Sequence, residues 1–143
     1  MQNRHFAIYI AAAPEQVWHA LTDPHLTPRF YFGLAVESDW QPGSSITFRG
    51  PGPAMLAGKV VHVERSRRLV HSFITGADEA GPEAWMTWDI EESEPGICRV
   101  CLSHDDLERT GDPDQDEACL RLLSNLKTLL ECGVALAARE TTR

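Results

Sequence analysis

The chain has 143 residues, of which 43% are hydrophobic, so it is long enough to bury the core of one domain and too short for two of ordinary size. Its 21 acidic residues outnumber its 13 basic residues and give a formal net charge of −8. Because binding to phosphate groups needs clustered Lys and Arg, this balance argues against a nucleic-acid or anionic-membrane partner. We therefore expect a single domain over residues 1–143 with neither of these partners.

Targeting signals are not evident in the sequence. It contains no apolar run long enough for a transmembrane helix. The first residues, MQNRHF, lack the apolar stretch preceded by basic residues that is typical of a signal peptide. These observations predict a cytoplasmic protein.

The first part of the chain predicts a strand followed by two short helices. Apolar residues alternate with polar ones from Arg4 to Ala11, as expected of a half-buried strand. Pro14 suits the first position of a helix that ends near Thr22. Asp23-Pro24 is typical of a second N-cap and first-turn proline, so we expect another short helix to begin there and to run toward Phe30.

The central part of the chain predicts six further strands, because apolar and polar residues alternate in segments separated by turn residues. The predicted strands are Leu34–Trp40, a segment around Ile46 and Phe48, Met55–Glu64, Leu69–Phe73, Trp85–Glu92 and Ile97–Asp105. We expect connecting loops at Gly50–Pro53, Gly76–Pro82 and Asp105–Gln115.

One long amphipathic helix is predicted after these strands, from Asp116 to Gly133. Its apolar residues recur every three or four positions and form one stripe: Cys119, Leu122, Leu123, Leu126, Leu129 and Leu130. Such a stripe needs a broad apolar surface, which the strands supply. The predicted fold is therefore α+β, with a curved antiparallel sheet of about seven strands wrapped around the long helix. Sheets curved in this way commonly leave a cavity against the helix.

The four cysteines offer an alternative interpretation as a metal site. Cys98 and Cys101 have the spacing of a metal knuckle, but they lie in a predicted strand, where residues three apart point to opposite faces. Two ligands on opposite faces cannot converge on one ion. We expect reduced cysteines, no metal and no cofactor.

The order of elements resembles the SRPBCC superfamily, also called START-like or helix-grip. Particular strings resemble its bacterial branch, which is grouped with the activator domain of the heat-shock-protein-90 ATPase and with polyketide cyclase-like proteins. These strings include ALTDP at Ala20–Pro24, FYFG at Phe30–Gly33, ESDWQPGS at Glu37–Ser44 and SNLKTLLECG at Ser124–Gly133. The resemblance covers nearly the whole chain. It implies a helix-grip fold with a cavity that binds apolar small molecules.

The sequence departs from the family pattern early in the last helix. Members often carry a Gly-Trp pair there, and the alignment of SNLKTLLECG puts Ala118 and Cys119 at those positions. Loss of a Trp from the helix face above the cavity should enlarge or reshape the cavity. A ligand known for relatives therefore does not transfer directly to this chain.

Two histidines are the candidate acid–base groups, because the strand pattern aims both inward. His71 shares a face with Leu69 and Phe73, and His104 shares one with Leu102. Each is either a catalytic group or a hydrogen-bonding group that orients a ligand or satisfies the core. We favour binding over catalysis, since no nucleophile, metal cluster or spaced carboxylate pair accompanies them.

The predicted ligand-binding residues are the inward aromatic and apolar side chains together with the two histidines. Phe30 and Phe32 are included because the equivalent helix segment caps the cavity mouth in relatives. The full set is Phe30, Phe32, Phe48, His71, Phe73, Met86, Trp88, Leu102, His104, Cys119, Leu122 and Leu126.

Two functions are compatible with this pattern. The first is binding of an apolar or amphipathic small molecule in the cavity. The second is a contact with a protein partner or a second copy of the chain through the outer face of the sheet. Trp85, Thr87 and Asp89 are predicted to lie on that outer face, opposite Trp88. A cavity of several hundred cubic ångströms would favour the first function, and a packed interior would favour the second.

Overall fold

The computed structural model describes residues 2–50, 55–75, 84–106 and 113–133. These residues form seven strands and three helices. In chain order the elements are β1 (Gln2–Ile10), α1 (Pro14–Thr22), α2 (Thr27–Phe30), β2 (Ala35–Ser38), β3 (Ser45–Arg49), β4 (Met55–Glu64), β5 (Arg68–Thr75), β6 (Ala84–Glu94), β7 (Ile97–Asp106) and α3 (Pro113–Cys132). None of the described helices is long and apolar enough to span a membrane.

All seven strands form one curved antiparallel sheet in the order β1-β7-β6-β5-β4-β3-β2. The three helices lie on one side of it, and α3 supplies Leu122, Leu123 and Leu126 to the buried core. The predicted helix-grip architecture is confirmed. The inner face of the sheet, toward α3, is mostly apolar, and its outer face carries more polar side chains.

The β6–β7 hairpin shows most clearly how the residue pattern sets the two faces. From Ala84 to Ile90 every second residue is buried, as the alternation in the sequence predicts. Gly96 closes the hairpin with a positive φ of 83°, a conformation that glycine adopts without a Cβ clash. The register then pairs Trp88 with Leu102 on the inner face.

The second helix begins later than the sequence predicted. The carboxylate of Asp23 accepts a hydrogen bond from the backbone N–H of His25 at 2.8 Å, so it stabilises a turn and does not cap a helix. Helix α2 begins only at Thr27, with Pro28 in its first turn. The predicted start at Asp23-Pro24 is therefore wrong, because the short Asp side chain bonds locally within the turn.

The connection between β7 and α3 is also shorter than the predicted loop at Asp105–Gln115. Strand β7 extends to Asp106 and helix α3 begins at Pro113, three residues before the predicted start at Asp116. The proline suits the first turn of a helix, where its missing N–H costs nothing. Residues 107–112, all of the predicted Gly76–Pro82 loop and most of the Gly50–Pro53 loop lie outside the described residues.

Helix α3 is joined to the end of β1 by two charged side chains. The Lys127 ammonium donates to the Tyr9 carbonyl at 2.8 Å, and the Glu131 carboxylate accepts from the Ala11 N–H at 2.8 Å. The two side chains also form an ion pair at 2.7 Å. These contacts hold the C-terminal part of α3 against the first strand.

Candidate functional site

The inner face of the sheet carries a row of paired residues across three central strands. His71 on β5 pairs with Met86 on β6, which pairs with His104 on β7. All three side chains are buried. The neighbouring row, Leu69, Trp88 and Leu102, is buried on the same face. The strand pattern therefore placed the inward side chains on the correct face, although their binding of a ligand stays a prediction.

Tyr31 lies over this row and links it to the second helix. Its ring stacks on Phe48 with centroids 4.6 Å apart, and the Phe48 ring lies 5.8 Å from that of His71. The Tyr31 hydroxyl donates to the thioether sulfur of Met86 at 3.7 Å. Thioether sulfur is a weak acceptor, so this buried hydroxyl has only a weak partner among the described residues. We refer to Tyr31, Phe48, His71 and Met86 as the Tyr31 cluster.

Burial keeps both titratable groups of the Tyr31 cluster neutral. Desolvation raises the pKa of Tyr31 well above its usual range, and the nearby Cys119 thiol adds to the rise. Desolvation lowers the pKa of His71 from 6.5 to about 4, partly offset by a hydrogen bond from Nδ1 to the Ser72 carbonyl at 3.0 Å. Since a carbonyl oxygen only accepts, Nδ1 carries the proton of the neutral imidazole. At neutral pH the cluster therefore presents a phenol and an uncharged imidazole.

Helix α3 covers the inner face with the predicted apolar stripe. Cys119, Leu122 and Leu126 are buried, as are Leu123 and Leu129. Cys119 and Tyr31 are both buried in the same hydrophobic core cluster.

The aromatic residues of the FYFG segment point in different directions. Phe30 is buried, whereas Phe32 is 47% exposed and has a positive φ of 53°. That backbone conformation is uncommon for a bulky residue. The Phe32 ring contacts the edge of Tyr31 with centroids 6.1 Å apart. Phe30 therefore belongs to the core and Phe32 to the surface, while the side chain of Phe73 lies outside the described residues.

Two buried polar side chains fix the position of α2 but were not among the predicted site residues. The Thr27 hydroxyl accepts a hydrogen bond from the Val36 N–H at 3.0 Å and so holds the edge strand β2. The Asn125 amide donates to the Phe30 carbonyl at 3.3 Å. Tyr31, which follows directly, was absent from the predicted set as well. An Asn next to the leucine stripe of α3 is the one sequence signal that pointed to such a contact.

The outer face of the sheet carries a shallow polar cleft of about 300 Å³. His5 Nδ1 and Ser103 Oγ lie 2.9 Å apart at one side of it, and Arg68 pairs with Asp89 at 3.4 Å at the other. Trp85 also lines the cleft and is half-buried, on the face opposite Trp88. The cleft is lined by His5, Arg68, Trp85, Thr87, Asp89, Cys101 and Ser103.

The cysteines of the CRVC segment lie on opposite faces of β7, as predicted from the strand period. Cys98 is fully buried in the core, where burial raises the pKa of its thiol. Cys101 is half-buried on the outer face, with its sulfur 4.0 Å from Ser103 Oγ. Within the described ranges, no group of three His, Cys, Asp or Glu side chains is placed to hold a metal ion.

The sequence was also compared with known protein families. The model of the family described as activator of Hsp90 ATPase homolog 1-like protein matches residues 11–131. The chain belongs to this family. The match includes α1, α2, strands β2 to β7 and most of α3, and it confirms the resemblance drawn from the short sequence strings. A search of the curated proteins found no significant match.

Solved structures of similar fold include a protein from a biosynthetic locus and an Aha1 protein. DynU16, a putative protein of the dynemicin biosynthetic locus, is 20% identical over 94% of this chain with a TM-score of 0.81, and this chain spans about half of it, 49%. The Aha1 dimer from Colwellia psychrerythraea is 24% identical, with coverage of 93% and 98% and a TM-score of 0.74.

A third similar structure is PFC0360w, an Hsp90 activator from Plasmodium falciparum. It is 15% identical to this chain, with coverage of 91% of this chain and 96% of that one and a TM-score of 0.73. At such identities the likeness establishes the fold alone.

Proposed function

We propose that the protein binds an apolar small molecule between the inner face of the sheet and α3, with the Tyr31 cluster as part of the wall. The observation that carries the proposal is the Tyr31 hydroxyl, a buried donor whose partner among the described residues is only the Met86 thioether. A buried hydroxyl without a good acceptor is costly, and Phe would fill the same space without that cost. A polar group on an apolar wall is the arrangement that orients ligands in such sites.

The surroundings of this hydroxyl support the same proposal. Phe48 and Trp88 supply aromatic surface, and Leu122 and Leu126 supply aliphatic surface from the opposite side. Phe32, exposed and in contact with the edge of Tyr31, offers an aromatic contact at the outer end of the cluster. His71 and His104 are then polar members of the wall that orient the ligand, and no catalytic step is needed to explain their burial.

Ligand titration tests the proposal. A panel of apolar fluorophores and aromatic polyketides should quench the emission of Trp88 with micromolar or tighter affinity, and Trp88→Phe should remove that quenching. Tyr31→Phe should weaken binding of acceptor-bearing ligands by about 5-fold, the value of one hydrogen bond. Tyr9→Phe is the matched control, because Tyr9 is the other tyrosine of the chain and is 56% exposed. Absence of binding across the panel would refute the proposal.

A second candidate function, self-association through the outer face of the sheet, is favoured by the half-buried Trp85 in the 300 Å³ cleft. The cleft contains both a cation and an anion, Arg68 and Asp89, so a contact between two copies through it need not bring an excess of like charge together. The similar structure from Colwellia psychrerythraea is described as a dimer.

Sedimentation of variants tests this second function. Wild-type protein should sediment as a dimer at tens of micromolar, and Trp85→Glu should sediment as a monomer because it buries a charge in the contact. Leu120→Glu is the control, since Leu120 is 51% exposed on α3, which lies against the inner face. A wild-type protein that remains monomeric over the whole concentration range would rule out this candidate.

A further inference from the structure

Aromatic rings form a continuous row through the Tyr31 cluster. The Phe48 ring lies between Tyr31, at a centroid distance of 4.6 Å and an interplanar angle of 23°, and His71, at 5.8 Å and 38°. At the other end, the Phe30 and Phe32 rings approach Tyr31 at 6.0 and 6.1 Å with angles of 61° and 82°. The row therefore extends from the exposed ring of Phe32 to the buried imidazole of His71.

The rings of this row come from elements that are distant in the sequence. Tyr31 follows α2, Phe48 lies on β3 and His71 lies on β5, while β4 runs between these two strands in the sheet. Trp88 on β6 adds a further buried ring in the neighbouring row of the inner face. The wall of the proposed site is thus aromatic across β3, β5 and β6.

The opposite side of the proposed site is aliphatic. Helix α3 supplies the buried side chains of Leu122 and Leu126 there. Aliphatic surface attracts flat and saturated ligands alike, because the gain follows the apolar area removed from water. A preference between these two kinds of ligand must therefore come from the rings of the sheet and of the segment after α2.

Aromatic rings interact with one another in a way that saturated rings cannot reproduce. A ring has an electron-rich face and an electropositive edge, so two rings attract each other in offset-stacked or edge-to-face geometry at about 4.5 to 7 Å. Each such pair raises affinity by roughly 2- to 10-fold beyond the effect of buried area. A saturated molecule of the same skeleton is thicker and offers neither the face nor the edge.

We infer that the interior site selects flat aromatic molecules over saturated molecules of the same skeleton, and that the rings of Tyr31 and Phe48 make this distinction. The inference rests on the proposed ligand-binding function and narrows it to one chemical class. It separates the site from one built for acyl chains or saturated ring systems.

The test compares 2-naphthylmethanol with its fully saturated decahydro derivative, titrated by calorimetry at about pH 7.5. Both compounds are neutral alcohols, and division of each affinity by the octanol–water partition coefficient removes their difference in hydrophobicity. The corrected affinity should be about 5-fold higher for the aromatic alcohol, from ring contacts alone. The wild-type comparison decides this point independently of whether any variant folds.

Phe48→Leu tests the assignment to particular rings, because it removes a ring of the row and keeps an apolar side chain. It should lower the affinity for the aromatic alcohol by about 5-fold and change that for the saturated alcohol by less than about 2-fold. Tyr9→Leu is the matched control, since it removes a ring that is 56% exposed and lies outside the row. It should change neither affinity.

The possible outcomes distinguish the inference from the function on which it rests. Equal corrected affinities, or tighter binding of the saturated alcohol, overturn the inference and leave the proposed ligand-binding function standing. Absence of binding by both compounds overturns both. An equal loss of affinity for the two alcohols in Phe48→Leu assigns this ring a packing role and overturns its part in the selection.

Discussion

Acidification from about pH 7 to about pH 4 should destabilise the folded protein by about 3 kcal/mol through His71 alone. The cause is burial, which lowers the pKa of this imidazole from 6.5 to about 4 in the folded state. The unfolded chain therefore takes up a proton on His71 as the pH falls below about 6.5, while the folded state resists protonation until about pH 4. The stabilisation is fully present above pH 6.5, declines between the two values and is lost below the lower one.

The measurement is the free energy of unfolding in urea at several pH values within this window. His71→Gln keeps an N–H donor for the Ser72 carbonyl and does not titrate, so its stability should fall much less than that of the wild type between pH 6.5 and 4. His62→Gln is the control, because His62 is half-exposed and pairs with Glu64 on the surface. Parallel curves for wild type and His71→Gln would show that His71 titrates normally and would contradict the prediction.

Tyr31→Ala should have the largest effect of any single substitution in the Tyr31 cluster, a loss of about 3 to 5 kcal/mol in the free energy of unfolding. The ring stacks on Phe48 at 4.6 Å and contacts Phe30 and Phe32 at its edges, so its removal leaves a cavity bordered by three other aromatic rings. Those neighbours belong to α2, the segment after it and β3, which limits their collapse into the space.

Tyr31→Phe separates packing from hydrogen bonding in this experiment. It keeps the ring and removes only the hydroxyl that contacts the Met86 sulfur, so its stability should stay within about 1 kcal/mol of the wild type. Urea denaturation measures the free energy of unfolding of Tyr31→Ala and of Tyr31→Phe relative to the wild type. A large loss in Tyr31→Phe would mean that the hydroxyl contributes to folding, and it would remove the main argument for a role in ligand binding.

The sequence was sufficient to predict the strands and the faces of the sheet. The two-residue period of β6 and β7 fixes which side chains are buried, and the pairing of Trp88 with Leu102 follows from it. The stripe on α3 likewise identifies Leu122 and Leu126. In these elements the residue pattern and the burial agree because burial of one face is what stabilises them.

The central residue of the site was not predictable in the same way. The direction of Tyr31 depends on the two residues after it, Phe32 and Gly33, which both have positive φ values of 53° and 78°. Gly33 hints at such a bend, but a Phe in this conformation does not follow from any local preference. Periodicity carries no information in so short an irregular segment, so tertiary contacts decide which of the FYFG aromatics enters the core.

The start of α2 was mispredicted for a related reason. Asp followed by Pro is compatible both with a helix N-cap and with a turn stabilised by the Asp side chain, and the sequence does not distinguish the two. The hydrogen bond from His25 to Asp23 selects the turn. The Thr27 hydroxyl accepts a hydrogen bond from the Val36 N–H in the edge strand, a tertiary contact that the local sequence pattern does not indicate.

Hydrogen bonds from the C-terminal half of α3 limit how this helix can move. Asn125, Lys127 and Glu131 bond to α2 and to the end of β1, and the Gly133 carbonyl accepts from Arg29 at 3.1 Å. These contacts lie in the C-terminal half of α3 or directly after it, so this half of the helix is tied to α2 and to the first strand by polar contacts as well as by burial. Movement of α3 relative to the first strand therefore requires the contacts of Lys127 and Glu131 to break.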